Sequence, residues 1–220
     1  MSTRPLTSAE TRSPHRRISV AVGCLFFFQL ITFLIGSSLV QHYLDGDASR
    51  NTLTVGVALE MCAGLAVVAI GLLMYRVLKV VHRQLALAYP VMRITEFAVS
   101  AVLAVYLLIQ LEAVPNRLLW VYIPTGIGGL ILNYLLFVSK MIPRPISMLG
   151  LLGYSLLLLT VPLDLLGVVD VERGAGLAMQ VPGGLYEFLV LPLWLITRGF
   201  RPPVAGAPRS LPAQLATVTM

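Results

Sequence analysis

Residues 18–40 read ISVAVGCLFFFQLITFLIGSSLV, a run with no charged side chain. As a helix rising 1.5 Å per residue it extends about 35 Å, enough to cross a hydrocarbon core of about 30 Å. Only Ile18–Gly23 precede Cys24, too few for the apolar core of a cleaved signal, so this run is expected to be retained as a helix. Five further apolar runs of similar length follow, at 53–75, 88–111, 118–139, 145–168 and 177–197. The connections between them are short, so successive helices run antiparallel and pack as neighbours. The fold expected is all-α: a polytopic membrane protein with a six-transmembrane-helix bundle.

Composition agrees with this. Hydrophobic residues make up 57% of the 220 and charged residues 12%, about half the share in a soluble domain. Mean hydropathy is +0.86. A soluble domain of this composition has too little polar surface to cover itself, so the first partner is the lipid bilayer. The net charge of +6 does not point to nucleic acid, because the cations flank apolar runs and form no face. Cys24 and Cys62 lie inside apolar runs and give neither a disulfide scaffold nor a metal framework. The polar stretch 1–17 and the Pro/Ala-rich stretch 201–220 read as disordered cytoplasmic tails around a membrane domain at 18–200.

Orientation follows from the loop cations. Arg4, Arg12, Arg16, Arg17, Arg76, Lys79, Arg83, Lys140, Arg144, Arg198, Arg201 and Arg209 fall on one side of the six spans. Arg50, Arg117 and Arg173 fall on the other, together with Asp45, Asp47, Glu112, Asp170 and Glu172. Both termini are therefore expected in the cytoplasm, with the protein in the cell membrane.

Five ionisable residues sit inside the runs: Glu60, Arg93, Glu96, Asp164 and Glu187. A charge at the bilayer centre costs about 2.5–3.5 kcal/mol on insertion scales, so such residues should face the interior and find partners. Arg93 and Glu96, three apart, share a helix face. Glu187 lies near the midpoint of the sixth run and follows Pro182-Gly183-Gly184, a sequence suited to local unwinding. Pro124, Pro162 and Pro182, with Asp164 and Glu60, would suit a cavity opening outward and lined by the second, fifth and sixth helices. Asn133 reads as a hydrogen-bonding contact between helices. Gly126-x-x-Gly129 and Gly150-x-x-Gly153 read as close helix contacts. No nucleophile elbow, phosphate loop or zinc-helix motif is present, so no catalytic residue, cofactor or metal ligand is assigned.

Three stretches carry a family resemblance: LALAYPVMRITEFAVSA at 85–101, LLFVSKMIPRPISMLGLLGY at 135–154 and YEFLVLPLWLITRGF at 186–200. They resemble the DUF4386 family of bacterial and archaeal membrane proteins. Its pattern has an Arg-x-x-Glu in the third helix, matched by Arg93 and Glu96. It has an Ile-Pro-Arg and a glycine at the start of the fifth helix, matched by Ile142, Pro143, Arg144 and Gly150. A Glu precedes a Trp-Leu-Ile-x-x-Gly ending, matched by Glu187, Trp194, Leu195, Ile196 and Gly199. The resemblance covers about residues 18–200. It implies a compact six-helix domain and supplies no activity.

Besides a membrane enzyme, for which no convincing nucleophile, metal cluster or base pair is found, two functions remain open at this level. One is an interaction or scaffold subunit, joined to a membrane-protein partner or to copies of itself. The other is a small transporter or proton-coupled carrier using the interior carboxylates. The topology is testable now: cysteines placed at 41–52 and 169–176 are expected to react with an impermeant thiol reagent added outside cells. Cysteines at 76–87 are expected not to, and the reverse pattern overturns the orientation.

Overall fold

The computed structural model describes residues 12–201. They form α1 (Arg12–Leu44), α2 (Arg50–Leu78), α3 (Arg83–Gln110), α4 (Arg117–Ser139) and α5 (Arg144–Leu165). A sixth span, Gly174–Thr197, follows. It consists of α6 (Gly174–Leu185), a π-helical turn (Tyr186–Val190) and α7 (Leu191–Thr197). The six spans are each long and apolar enough to cross a membrane.

Most of the tails expected over 1–17 and 201–220 lies outside the described residues. Within 12–17 the chain is helical, so α1 starts before Ile18. The cause is a long-range contact: the Arg16 guanidinium donates to the carbonyls of Leu195 (3.2 Å) and Ile196 (2.6 Å). Those carbonyls belong to the last turn of a helix and lack partners of their own, so a cation there is favourable. At the other boundary, the Arg201 N–H donates to Met141 O at 2.8 Å. The fifth helix ends at Leu165, short of the expected 168, in a turn where Gly167 takes φ +70°.

Each helix packs on the next in sequence, and α7 returns to α1, closing a ring of six. Two ends can be named. The near end carries the start of α1, the 79–82 and 140–143 connections and the end of α7. The far end carries the 45–49, 111–116 and 166–173 connections. The near half is filled by large side chains, among them Phe26, Met74, Tyr89, Leu135, Met141 and Leu195, all at most 2% exposed. In the far half two smaller clusters lie between neighbouring helices: Val40, Leu53, Val57, Ala104 and Leu107, and Leu119, Val161 and Val171. The outer surface is apolar: Val102, Ile109, Trp120 and Leu166 are exposed. Hydrocarbon is the natural surrounding for such a surface.

Lipid is as apolar as leucine, so close packing has to hold the helices together. Glycines provide it. A Cβ on Gly36 would stand 2.7 Å from Gly56 O, and one on Gly56 would stand 2.9 Å from Gly36 O, so α1 and α2 cross backbone to backbone. The contact of α5 with the sixth span is as close. A Cβ on Gly153 would overlap the Gly183 backbone, whereas one on Gly183 would rest 3.4 Å from Gly153 C, an ordinary contact. Gly153→Ala is therefore expected to destabilise the bundle by about 1–3 kcal/mol through overpacking. Gly183→Ala should leave it nearly unchanged. Thermal unfolding of the two variants in detergent checks the asymmetry, and equal losses would contradict the packing.

Candidate functional site

Between the filled near half and the far end the ring encloses a cavity of about 520 Å³. All six spans contribute to its wall. Its inward positions are often small, as at Ser37, Gly64, Ser100, Thr125, Gly183 and Gly184, which is why side chains do not fill it. Among the ionisable residues, Glu60, Glu96, Glu187 and Arg117 line it. Counted from the far ends of their helices at 1.5 Å per residue, the three acids lie about 15, 21 and 20 Å deep. Arg117 is the first residue of α4 and marks the mouth.

Glu187 owes its position to the π-helical turn. The Leu191 N–H bonds back to Tyr186 O, five residues earlier, and not to Glu187 O. A widened turn forfeits one helical bond. Pro192, with no N–H, removes one in the same place, so the two defects coincide. The extra residue turns both Tyr186 and Glu187 inward, at 0% and 8% exposure. The chain does not unwind at Pro182-Gly183-Gly184; α6 continues through all three residues. The glycines serve instead to admit α5 and to leave the cavity open.

The Glu187 carboxylate has neutral partners. The Tyr154 hydroxyl donates to Oε2 at 2.9 Å and the Gln29 amide to Oε1 at 3.5 Å. Tyr154 reaches it because its ring lies flat on Gly129 of α4, where a Cβ would overlap the ring. Tyr154 also packs edge-on against Tyr186, with centroids 6.2 Å apart.

Arg93 and Glu96 form a separate unit. The guanidinium Nη1 donates to Glu96 Oε2 at 2.7 Å, the one ion pair among the described residues. Arg93 is 1% exposed and stands over the Tyr89 ring, 5.2 Å from its centroid. It fits because Gly71 of α2 faces its stem and Gly128 of α4 faces its head. Its Nε and Nη2 have no partner, nor do the hydroxyls of Tyr89 and Tyr186.

Of the five interior ionisable residues, the structure therefore places three, Glu60, Glu96 and Glu187, on the wall of one cavity, with Arg93 buried and paired to Glu96. Asp164 is elsewhere. It sits in the last turn of α5, where its carboxylate accepts the Val171 N–H at 2.7 Å and ties down the loop that follows. It faces a second hollow of about 410 Å³ at the far end, which shares Arg117 and Leu118 with the main cavity. The Asn133 amide donates to Gly129 O in its own helix while Gly150 of α5 packs against it. Gln29, Tyr154, Tyr122 and Gln180 were not singled out from sequence. Tyr122 donates to Gln180 Oε1 at 2.8 Å, and Gln180 to Val171 O at 2.6 Å, bracing α4 against α6 and the preceding loop. Gln29 is the one amide side chain in the first run, and that was its available signal.

A family model described as a domain of unknown function, DUF4386, matches residues 19–117 and 104–199. The chain belongs to the DUF4386 family. No curated protein and no solved structure matches it. In this DUF4386 chain the matched residues contain all of α2–α5 and every cavity-lining residue named above.

Removing one partner of a buried ion pair costs about 3–5 kcal/mol, because the other charge stays buried alone. Glu96→Gln is expected to lower thermal stability by that order. The double variant Arg93→Met/Glu96→Met is expected to recover part of the loss. Additive losses in the double variant would show that the two side chains act independently.

Proposed function

We propose that this protein is a small membrane carrier that takes its substrate into the cavity between its six helices. The observation that carries the reading is the cavity itself. It extends from Arg117 at the far end to Glu187 at mid-depth, and the near half beneath it is filled. That is the form of a site accessible from one side, with its polar groups at the midplane. With the orientation read from the loop cations, the far end faces outward and substrate enters from there. A scaffold needs no such hollow, and its interior glycines would serve packing alone. Here Gly184 lines the cavity and meets little else: a Cβ on it would find only Phe188 Cδ2, at 3.9 Å.

That position gives the test. Gly184→Trp would obstruct the cavity while leaving the helix contacts in place. Cells making the wild-type protein are expected to differ from cells without it in the inside-to-outside ratio of at least one metabolite or ion. Gly184→Trp, present in the membrane at the same level, is expected to abolish that difference. A wild-type profile identical to that of cells without the protein would defeat the carrier reading.

A further inference from the structure

We infer that the cavity receives a lipophilic monocation, a small organic molecule whose single positive charge rests against Glu187 and whose apolar body lies along the aromatic wall. The inference builds on the carrier reading and names the class of its substrate.

The charges on the wall are unequal. Three carboxylates, Glu60, Glu96 and Glu187, face the cavity against one guanidinium, Arg117. Glu96 is already closed by Arg93 at 2.7 Å. Glu187 is held by a phenol and an amide, both neutral, and no cation among the described residues forms an ion pair with it. Each carboxylate oxygen carries more acceptor capacity than the one donor it receives. Glu187 is thus positioned by neutral groups, and no direct ion pair closes it. A cation arriving from the cavity would find free acceptor positions on this carboxyl and give it a direct partner.

The rest of the wall selects the kind of cation. Phe33, Phe97 and Phe188 line the same cavity as Glu187 and Gln29. Aromatic faces attract organic cations and give apolar groups a surface to lie on. The volume, about 520 Å³, falls within the range of about 300–1,000 Å³ usual for small-molecule sites.

The approach carries the same sign. The second hollow at the far end, which shares Arg117 and Leu118 with the cavity, is lined by Asp164, Asp170 and Glu172 against that one arginine. An acidic vestibule concentrates cations and repels anions of the same size.

Tetraphenylphosphonium and tetraphenylborate are nearly equal in size and shape and opposite in charge. Their binding to the full chain in nanodiscs of uncharged lipid, measured by equilibrium dialysis against the Gly184→Trp background, tests the inference. Tetraphenylphosphonium is expected to bind saturably at one site, at least tenfold tighter than tetraphenylborate, and Glu187→Gln is expected to weaken it at least tenfold. Equal binding of the two probes, or phosphonium binding indifferent to Glu187→Gln, overturns the cation class and leaves the cavity reading standing. If neither probe distinguishes the wild type from Gly184→Trp, the inference fails and the carrier reading loses its support with it. The cation-to-anion preference of the wild type needs no variant, so it decides the matter even if Glu187→Gln does not fold.

Discussion

Arg93 holds a positive charge in the middle of a bundle whose outside is apolar, and much of the interior is arranged around it. A guanidinium does not shed its proton within proteins, so the charge has to be met where it stands. Glu96, one turn along the same helix, supplies the counter-charge, and the Tyr89 ring supplies a π face. Two glycines from the flanking helices make room for the head and stem. Arg93 pairs with Glu96 through Nη1 and forms no direct ion pair with Glu187.

Glycine governs the second level of organisation. Contacts at Gly36–Gly56, Gly129–Tyr154 and Gly153–Gly183 bring backbones or rings together more closely than any larger residue allows. In lipid this dispersion packing replaces the hydrophobic drive that assembles soluble helices. The same contacts position chemistry. Gly153 seats α5 against the sixth span, Gly129 accepts the Tyr154 ring, and together they bring the phenol to Glu187. Packing and site are thus set by a shared group of residues.

How much of this was legible in the sequence depends on what each feature requires. The six spans were legible because length and hydropathy are local properties, and the structure has six helices long and apolar enough to cross a membrane. The interior charges were legible because an ionisable residue inside an apolar run stands out wherever it points. Asp164 stood out equally, yet it lies one turn from the end of its helix and serves the following loop. Its depth depends on where α5 stops, and hydropathy places such boundaries poorly. Tyr154 and Gln29 gave weaker signals, since a tyrosine or a glutamine in a spanning helix is ordinary. Their significance arises from α1, α5 and the sixth span meeting at one point. The π-helical turn was hidden for a related reason: Pro182-Gly183-Gly184 is the more conspicuous breaker, but Pro192 is the residue whose missing N–H coincides with the defect.

The difference between the two halves of the ring carries the remaining step of the argument. Inward positions near one end hold Phe26, Met74, Tyr89 and Leu135, and those toward the other hold Ser37, Gly64, Ser100 and Gly184. Small residues turned inward over half the length of a bundle leave a void. Engineered voids destabilise proteins by about 24 cal/mol per Å³, so 520 Å³ left dry would cost on the order of 10 kcal/mol. That equals the whole stability of a typical domain. A fold that keeps such a space therefore keeps it occupied, by water or by a ligand. The wall is built for an occupant with polar needs: Glu60, Glu187, Gln29 and Gln180 lie among the aromatic side chains. Water can satisfy the polar groups and gains nothing from the aromatic ones, whereas a molecule with an apolar body and a charged head satisfies both. On the proposed reading, such a molecule displaces the water that the cavity would otherwise hold.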